Sequence, residues 1–336
     1  MKGRKPDTLT IFIALVFAFT VLFSGQAFAK KKIFKLGHPM APQSAEGMGV
    51  DRFAELVKEK SNGEIEVQVF HSGQLGKTME MVEGVMMGSI DLSMEDITLY
   101  DKHLPVVRIM GMLYYFKDRP QMHKFLQSDI WQKEFVEPVE KLGTKVIGTK
   151  WNWDRGPYRT LISRKPIFTL DDLKGTKLRI WEVETVRKGW TALGAVPIVI
   201  SWAEAYLALR QGVADAITAP IGLLYPAKFT EVLKYVTITK QFPQTMCFGM
   251  NIDKFKRLTQ QQQQIMIDSA NEAGEYFSML YRKRAEEDME KMMCEHNVFF
   301  IQTCLDPWRE KAQEARKQLE KDGYLPKGLW DKINDM

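Results

Sequence analysis

The chain has 336 residues, 45% of them hydrophobic and 26% charged, with a formal net charge of +5. Its length suits about two domains, and its ordinary composition excludes a largely disordered, collagen-like or polytopic membrane chain. Three Cys cannot build a disulfide scaffold or a Cys₄ zinc site, and 42 acidic residues interleaved with 47 basic ones leave no basic stripe for nucleic acid.

Lys2, Arg4 and Lys5 precede an almost uncharged apolar run over 9–23, and Ala27-Phe28-Ala29 follows it. That is the order of a signal peptide, residues 1–29, with cleavage expected after Ala29. A single membrane anchor is the alternative, but the run is shorter than the roughly 20 apolar residues a span needs. No later segment is long and apolar enough to span, so an exported, soluble mature protein is expected. Export permits disulfides. However, the strand expected over 298–302 lies between Cys294 and Cys304 and covers about 16 Å at roughly 3.3 Å per residue. A bridge needs Cα atoms within about 7 Å, so all three Cys are expected to be unpaired.

After a strand at 33–37, a helix is expected over 44–60, with Val50, Phe53, Leu56 and Val57 on one face. Ser61-Asn62-Gly63 stops it. Ile65, Val67 and Val69 alternate with polar residues as in a half-buried strand. A Met-rich helix follows over 78–88, then a strand at 90–94, a helix over 131–142 and a strand at 145–151. A second block repeats the pattern. Strands are expected at 158–163, 177–180, 196–200 and 214–219, with helices at 184–193 and 202–211. Thr169 and Asp172 have the spacing of a capping box at a short helical turn between the first two of these strands. Alternation of this kind implies parallel sheets with helices on both faces. From 259 to about 294 a helical period runs without Pro and with one Gly, Gly274. At 1.5 Å per residue this is about 54 Å, too long for one small domain. One long helix across both domains is the favoured reading, and two helices broken at Gly274 the alternative.

Catalytic and cofactor motifs are absent. There is no dinucleotide-binding or phosphate-binding Gly loop, no metalloprotease helix and no nucleophile elbow. The His residues, at 38, 71, 103, 123 and 296, lack ligand spacing. No cofactor and no metal are expected, and the chain is not expected to be an enzyme.

Three stretches share one resemblance. They are Ser61-Asn62-Gly63-Glu64-Ile65 through Gln74-Leu75-Gly76; Leu173-Lys174-Gly175-Thr176-Lys177-Leu178-Arg179, with Leu193-Gly194-Ala195 and Pro197; and Glu204-Ala205-Tyr206-Leu207-Ala208-Leu209, with Gly212-Val213-Ala214-Asp215. In this order and spacing they resemble the DctP family, the extracytoplasmic solute-binding proteins of tripartite ATP-independent periplasmic (TRAP) transporters. The resemblance implies an α/β, two-lobed periplasmic-binding-protein fold with an interlobe ligand cleft and one long helix spanning both lobes. It places lobe I at 30–155 plus 245–285 and lobe II at 156–244 plus 286–336. It implies periplasmic capture of a small organic acid anion, a carboxylate or possibly a sulfonate, and delivery to the transporter's integral-membrane subunits. A protein that presents its ligand to a membrane receptor is the alternative.

Arg179 matches the family's carboxylate-binding arginine. It also stands at the end of a short strand, where open α/β sheets bind ligands, and guanidinium matches a carboxylate bidentately. Arg159 matches a second arginine used by acid-binding members; an interlobe salt bridge is its structural alternative. Asp96, or equally Glu95, falls where members carry an acid that accepts from ligand hydroxyls. His38 follows the first strand near the expected cleft. Trp151, Trp153, Trp181 and Trp202 stand at strand ends or loop entries, and of these Trp202 and Trp181 are the candidates for ligand contact. Members that bind large polyhydroxy acids often carry a Gln-Glu-Asn type stretch where this chain has Ile217-Thr218-Ala219-Pro220. A sialic-acid-like ligand is therefore not expected, and a small or partly apolar anion is.

Overall fold

The computed structural model describes residues 31–336. The signal peptide expected over 1–29 lies outside the described residues. The first sheet contains β1 (Lys32–Gly37), β2 (Ile65–Phe70), β3 (Leu92–Asp96), β4 (Thr144–Val146), β5 (Asp154–Arg155) and β11 (Gln244–Asn251), in the order β2-β1-β3-β11-β4, with β5 paired to β11. The second contains β6 (Arg159–Ser163), β7 (Lys177–Ile180), β8 (Val196–Val199), β9 (Ala216–Pro220), β10 (Tyr235–Thr237) and β12 (Phe299–Ile301), in the order β12-β10-β6-β9-β7-β8. Each sheet is the centre of one lobe.

Local sequence accounts for the elements. Phe34 and Leu36 of β1 are buried while Lys35 is exposed, the alternation of a strand with one face in a core. Helix α1 (Ala45–Lys60) begins where the Ser44 hydroxyl accepts from the Gly47 amide at 3.0 Å, and buries Val50, Phe53, Leu56 and Val57. Its core extends to Phe248 and Met250 of β11 and to Met266 and Phe277 further along.

Both sheets are mixed, which corrects the expectation of parallel ones. β1 runs parallel to β2 and β3, and β7 to β8 and β9. However, β11 is antiparallel to β3 and β4, and β6 to β9 and β10. A helical crossover imposes the parallel direction, but β6 and β11 arrive directly from the other lobe. Three strands also shift. The one expected at 90–94 lies at Leu92–Asp96, and the one at 214–219 at Ala216–Pro220. The one at 145–151 shortens to Thr144–Val146, because the chain turns at 149–150 and enters Trp151 with φ +54.

The long helix is continuous. Helix α5 (Gln260–His296; α2, α3 and α4 are given below) has 37 residues, starts in a Thr259–Gln262 capping box and ends at Asn297 in the left-handed region. A Cβ on Gly274 would stand 2.4 Å from Asn152 Oδ1 and 2.8 Å from Trp153 Nε1. Glycine thus lets the helix press against the first lobe. On the second lobe, a Cβ on Gly222 would meet Tyr281 of α5 at 2.7 Å. Helix α6 (Asp306–Lys321), the penultimate helix, buries Trp308 and Ala312 and packs on α3 (Glu184–Ala192). Beyond it, the Tyr324 carbonyl accepts from Arg108 at 2.8 Å and that of Ile333 from Gln121 at 3.3 Å. Cys247 is buried and Cys294 and Cys304 are exposed, all three without a disulfide. Among the described residues no helix is long and apolar enough to cross a membrane.

Candidate ligand-binding cleft

A cavity of about 530 Å³ opens between the lobes. The first lobe contributes Met40, Asp96 and Arg155, together with Thr78 and Met79 at the start of α2 (Thr78–Met87). The second contributes Arg159, Arg179 and Trp181, together with Trp202 at the start of α4 (Trp202–Arg210). Five of the six candidate residues, Arg179, Arg159, Trp202, Asp96 and Trp181, line this one cavity.

Arg179 is placed by β7, in register with Ile198 of β8 and Ile217 of β9. Its Nε donates to the Ile200 carbonyl at 2.9 Å, and its guanidinium lies 5.5 Å from the centre of the Trp202 ring. Only 2% of the residue is exposed. Burial pulls its pKa down to about 9, with no carboxylate among the described residues close enough to offset it. Arg159 opens β6 and is 3% exposed. Its Nη1 donates to Gln244 Oε1 at 2.5 Å and its Nη2 to the Thr218 carbonyl at 2.9 Å. It faces the rings of Trp181 at 4.4 Å and Phe242 at 5.2 Å. Burial lowers its pKa to about 9 as well, although the charge of Asp96 works in the opposite direction.

Asp96 is tied into a network across the cleft. Its Oδ1 accepts from the Thr98 amide at 3.0 Å and the Thr98 hydroxyl at 2.8 Å, which caps the turn Ile97–Tyr100. Its Oδ2 accepts from Gln244 Nε2. Gln244 thus joins Asp96 in the first lobe to Arg159 in the second. A second tie runs from Trp181 Nε1 to Thr98 Oγ1 at 3.1 Å. At the rim, Lys102 pairs with Glu182 at 2.8 Å. Glu95 also borders the cavity, but it is buried, and desolvation raises its pKa well above the usual carboxylate range and favours its neutral form.

His38 stands apart from the cavity wall. The pairing of Gly37 with Phe70 sets His38 beside His71, and the two rings bond through Nε2 and Nδ1 at 2.8 Å. Its Nδ1 accepts from the Met40 amide at 3.4 Å, behind the wall that Pro39 and Met40 form. Burial lowers its pKa to about 3, helped by His71 and Arg155. Trp151 and Trp153 are likewise in the cores: Trp151 sits edge-on to Trp131 and Phe135, and Trp153 stacks on Phe277.

Two wall or network residues were not among the sequence candidates. Arg155 borders the cavity and donates from Nε to Glu46 Oε1 at 2.6 Å, both side chains being buried. Gln244 looks in the sequence like one more polar residue at a strand entry. The signal available in the sequence was that both stand at the expected lobe boundaries, 155/156 and 244/245; their pairing appears only in the structure.

Two mixed sheets, direct crossings between them, a bridging helix and a buried cationic cleft define a two-lobed ligand-binding protein. The model of the DctP family, bacterial extracellular solute-binding protein family 7, matches residues 36–322, and the chain belongs to that family. Over its 336 residues it is 28% identical to the 2,3-diketo-L-gulonate-binding periplasmic protein YiaO of Escherichia coli, covering 94% of that protein. It is 29% identical over 223 residues to the C4-dicarboxylate-binding periplasmic protein DctP of Rhodobacter capsulatus, 66% of each chain. Among solved structures, a TRAP periplasmic solute binding protein from Ochrobacterium anthropi with bound L-fuconate matches with a TM-score of 0.83 and 28% identity. That match covers 90% of this chain and 98% of the other.

Proposed function

We propose that this chain is a periplasmic solute-binding protein that captures an organic acid anion between its lobes and delivers it to the integral-membrane subunits of a TRAP transporter. The carboxylate docks on Arg179 and Arg159, Trp202 and Trp181 cover it, and Asp96 holds the arginine side of the cleft together through Gln244. His38 supports the wall without touching the ligand. Lobe I takes 30–155 plus 245–285 and lobe II 156–244 plus 286–336, and they close on the acid about the crossing strands and the long helix. The bound acid leaves unchanged, and a sulfonate would satisfy the same donors.

One observation carries this reading. Arg179 and Arg159 are almost fully buried, yet neither forms an ion pair with a carboxylate among the described residues. A buried charge without a partner is strongly unfavourable, and an incoming anion would relieve that cost. Charge-assisted bonds are worth roughly 1.5–3 kcal/mol each, so two arginines supply a large part of the roughly 8 kcal/mol of a micromolar site. The relatives' own names, a diketogulonate-binding and a dicarboxylate-binding protein, agree with an acid ligand. Calorimetry of residues 30–336 and of Arg179→Met against a panel of carboxylates tests it. Binding lost in a folded variant is expected, and retained affinity would overturn the arginine assignment.

A further inference from the structure

We infer that the ligand is a monocarboxylate with an extended apolar body, rather than a polyhydroxy acid; this rests on the acid-binding reading above. Met40, Met79, Leu99, Trp181, Trp202 and Leu223 line the same cavity as the arginines, with Trp181 and Trp202 directly against them. Apolar side chains continue to the mouth, where Val199, Leu207 and Val213 border the cavity and are 51%, 53% and 48% exposed. Large aliphatic side chains left half in water along one rim are what an apolar ligand would cover.

Several polar groups of the cavity are engaged elsewhere: Arg155 bonds Glu46 through Nε, and of the lining hydroxyls only Thr78 has no hydrogen-bond partner among the described residues. Asp96 accepts three hydrogen bonds from Thr98 and Gln244, of the roughly four a carboxylate accommodates. Ser201 donates to Glu204 at 2.5 Å, and Glu182 is held by Lys102. Glu95 is buried, and desolvation favours its neutral form. Lys77, Glu204 and Gln211 are exposed at the mouth and offer little inside. A sugar acid such as L-fuconate carries four hydroxyls. Each one desolvated without a partner weakens binding by about tenfold, so two left unpaired amount to roughly 100-fold. An apolar body of the same reach has no such loss and gains from every methylene it buries.

The experiment is calorimetry of residues 30–336, unfolded and refolded to remove any co-purified ligand. The probes are 4-methylpentanoate, phenylacetate, succinate and L-fuconate. We expect either apolar acid to bind at least roughly 100-fold more tightly than L-fuconate, and succinate to bind weakly. Leu207→Ser, at a half-exposed position that the fold tolerates, is expected to weaken the apolar acids by roughly tenfold. L-fuconate or succinate binding as tightly as the apolar acids would overturn this inference while leaving the acid-binding function intact. No binding by any of the four to the refolded chain would overturn both.

Discussion

Arg179 is the side chain on which the account rests, and its burial gives an unusual prediction. Replacing one partner of a buried ion pair normally destabilises, but Arg179 has no such partner among the described residues. Arg179→Met removes a desolvated charge and one hydrogen bond to Ile200. The unliganded variant is therefore expected within about 1 kcal/mol of wild type, or above it. Urea denaturation checks this, and a loss of several kcal/mol would mean that an unrecognised partner holds the guanidinium. His38 gives a second test. Its pKa of about 3 lies below the ordinary 6.5. Between those values the unfolded chain binds the proton and the folded one does not, so stability falls as pH drops through that window. The slope is roughly 1.4 kcal/mol per pH unit. His38→Gln should flatten the decline in Tm between pH 6.5 and 4.5. Glu95 has the opposite sign, because its raised pKa favours the folded state at low pH and that stability is lost as pH rises. Glu95→Gln should match wild type below about pH 4.5 and exceed it increasingly as pH rises above that, and a stability difference that does not change with pH would contradict the raised pKa. Arg179, Arg159 and the two tryptophans could be found in the sequence because strand ends and family motifs mark them. His38 could not be excluded there, since only the β1–β2 register turns it toward His71.

At the scale of elements, the long helix presents a conflict between propensity and packing. Ala is favoured over Gly in a helix interior by roughly 1 kcal/mol. Gly274→Ala would nevertheless drive a methyl into Asn152 Oδ1 and Trp153 Nε1, the latter already donating to the Ala270 carbonyl at 2.9 Å. A net destabilisation of about 2 kcal/mol is expected from overpacking, and thermal unfolding showing stabilisation would contradict the close approach. The sequence could reveal the helix by its period but not this contact, because the partner residues are more than a hundred positions away. The same limit explains the strand errors. Periodicity located nine of the twelve strands to within a few residues and missed β5, β10 and β11, the last of them the longest strand of the first sheet; it also contains no information on direction, and β6 and β11 reverse because the chain crosses between lobes before each. Gln244, at the start of β11, joins Asp96 to Arg159 only once that crossing is made.

Across the molecule, two lobes share a wall in which Arg179 and Arg159 form no ion pair among the described residues, while Trp181–Thr98 and Lys102–Glu182 link the lobes. A ligand shifts the balance between open and closed forms only by its differential affinity for the closed one, and on the function proposed above Arg179 and Arg159 would provide that difference. The most direct test is the stabilisation of residues 30–336 by a carboxylate, measured side by side for wild type and Arg179→Met after refolding free of ligand. At 100 times its dissociation constant an acid should stabilise the wild type by about 2.7 kcal/mol and leave the variant unmoved. Equal stabilisation of both chains, or of neither by any carboxylate or sulfonate, would contradict an anion held by the buried arginines.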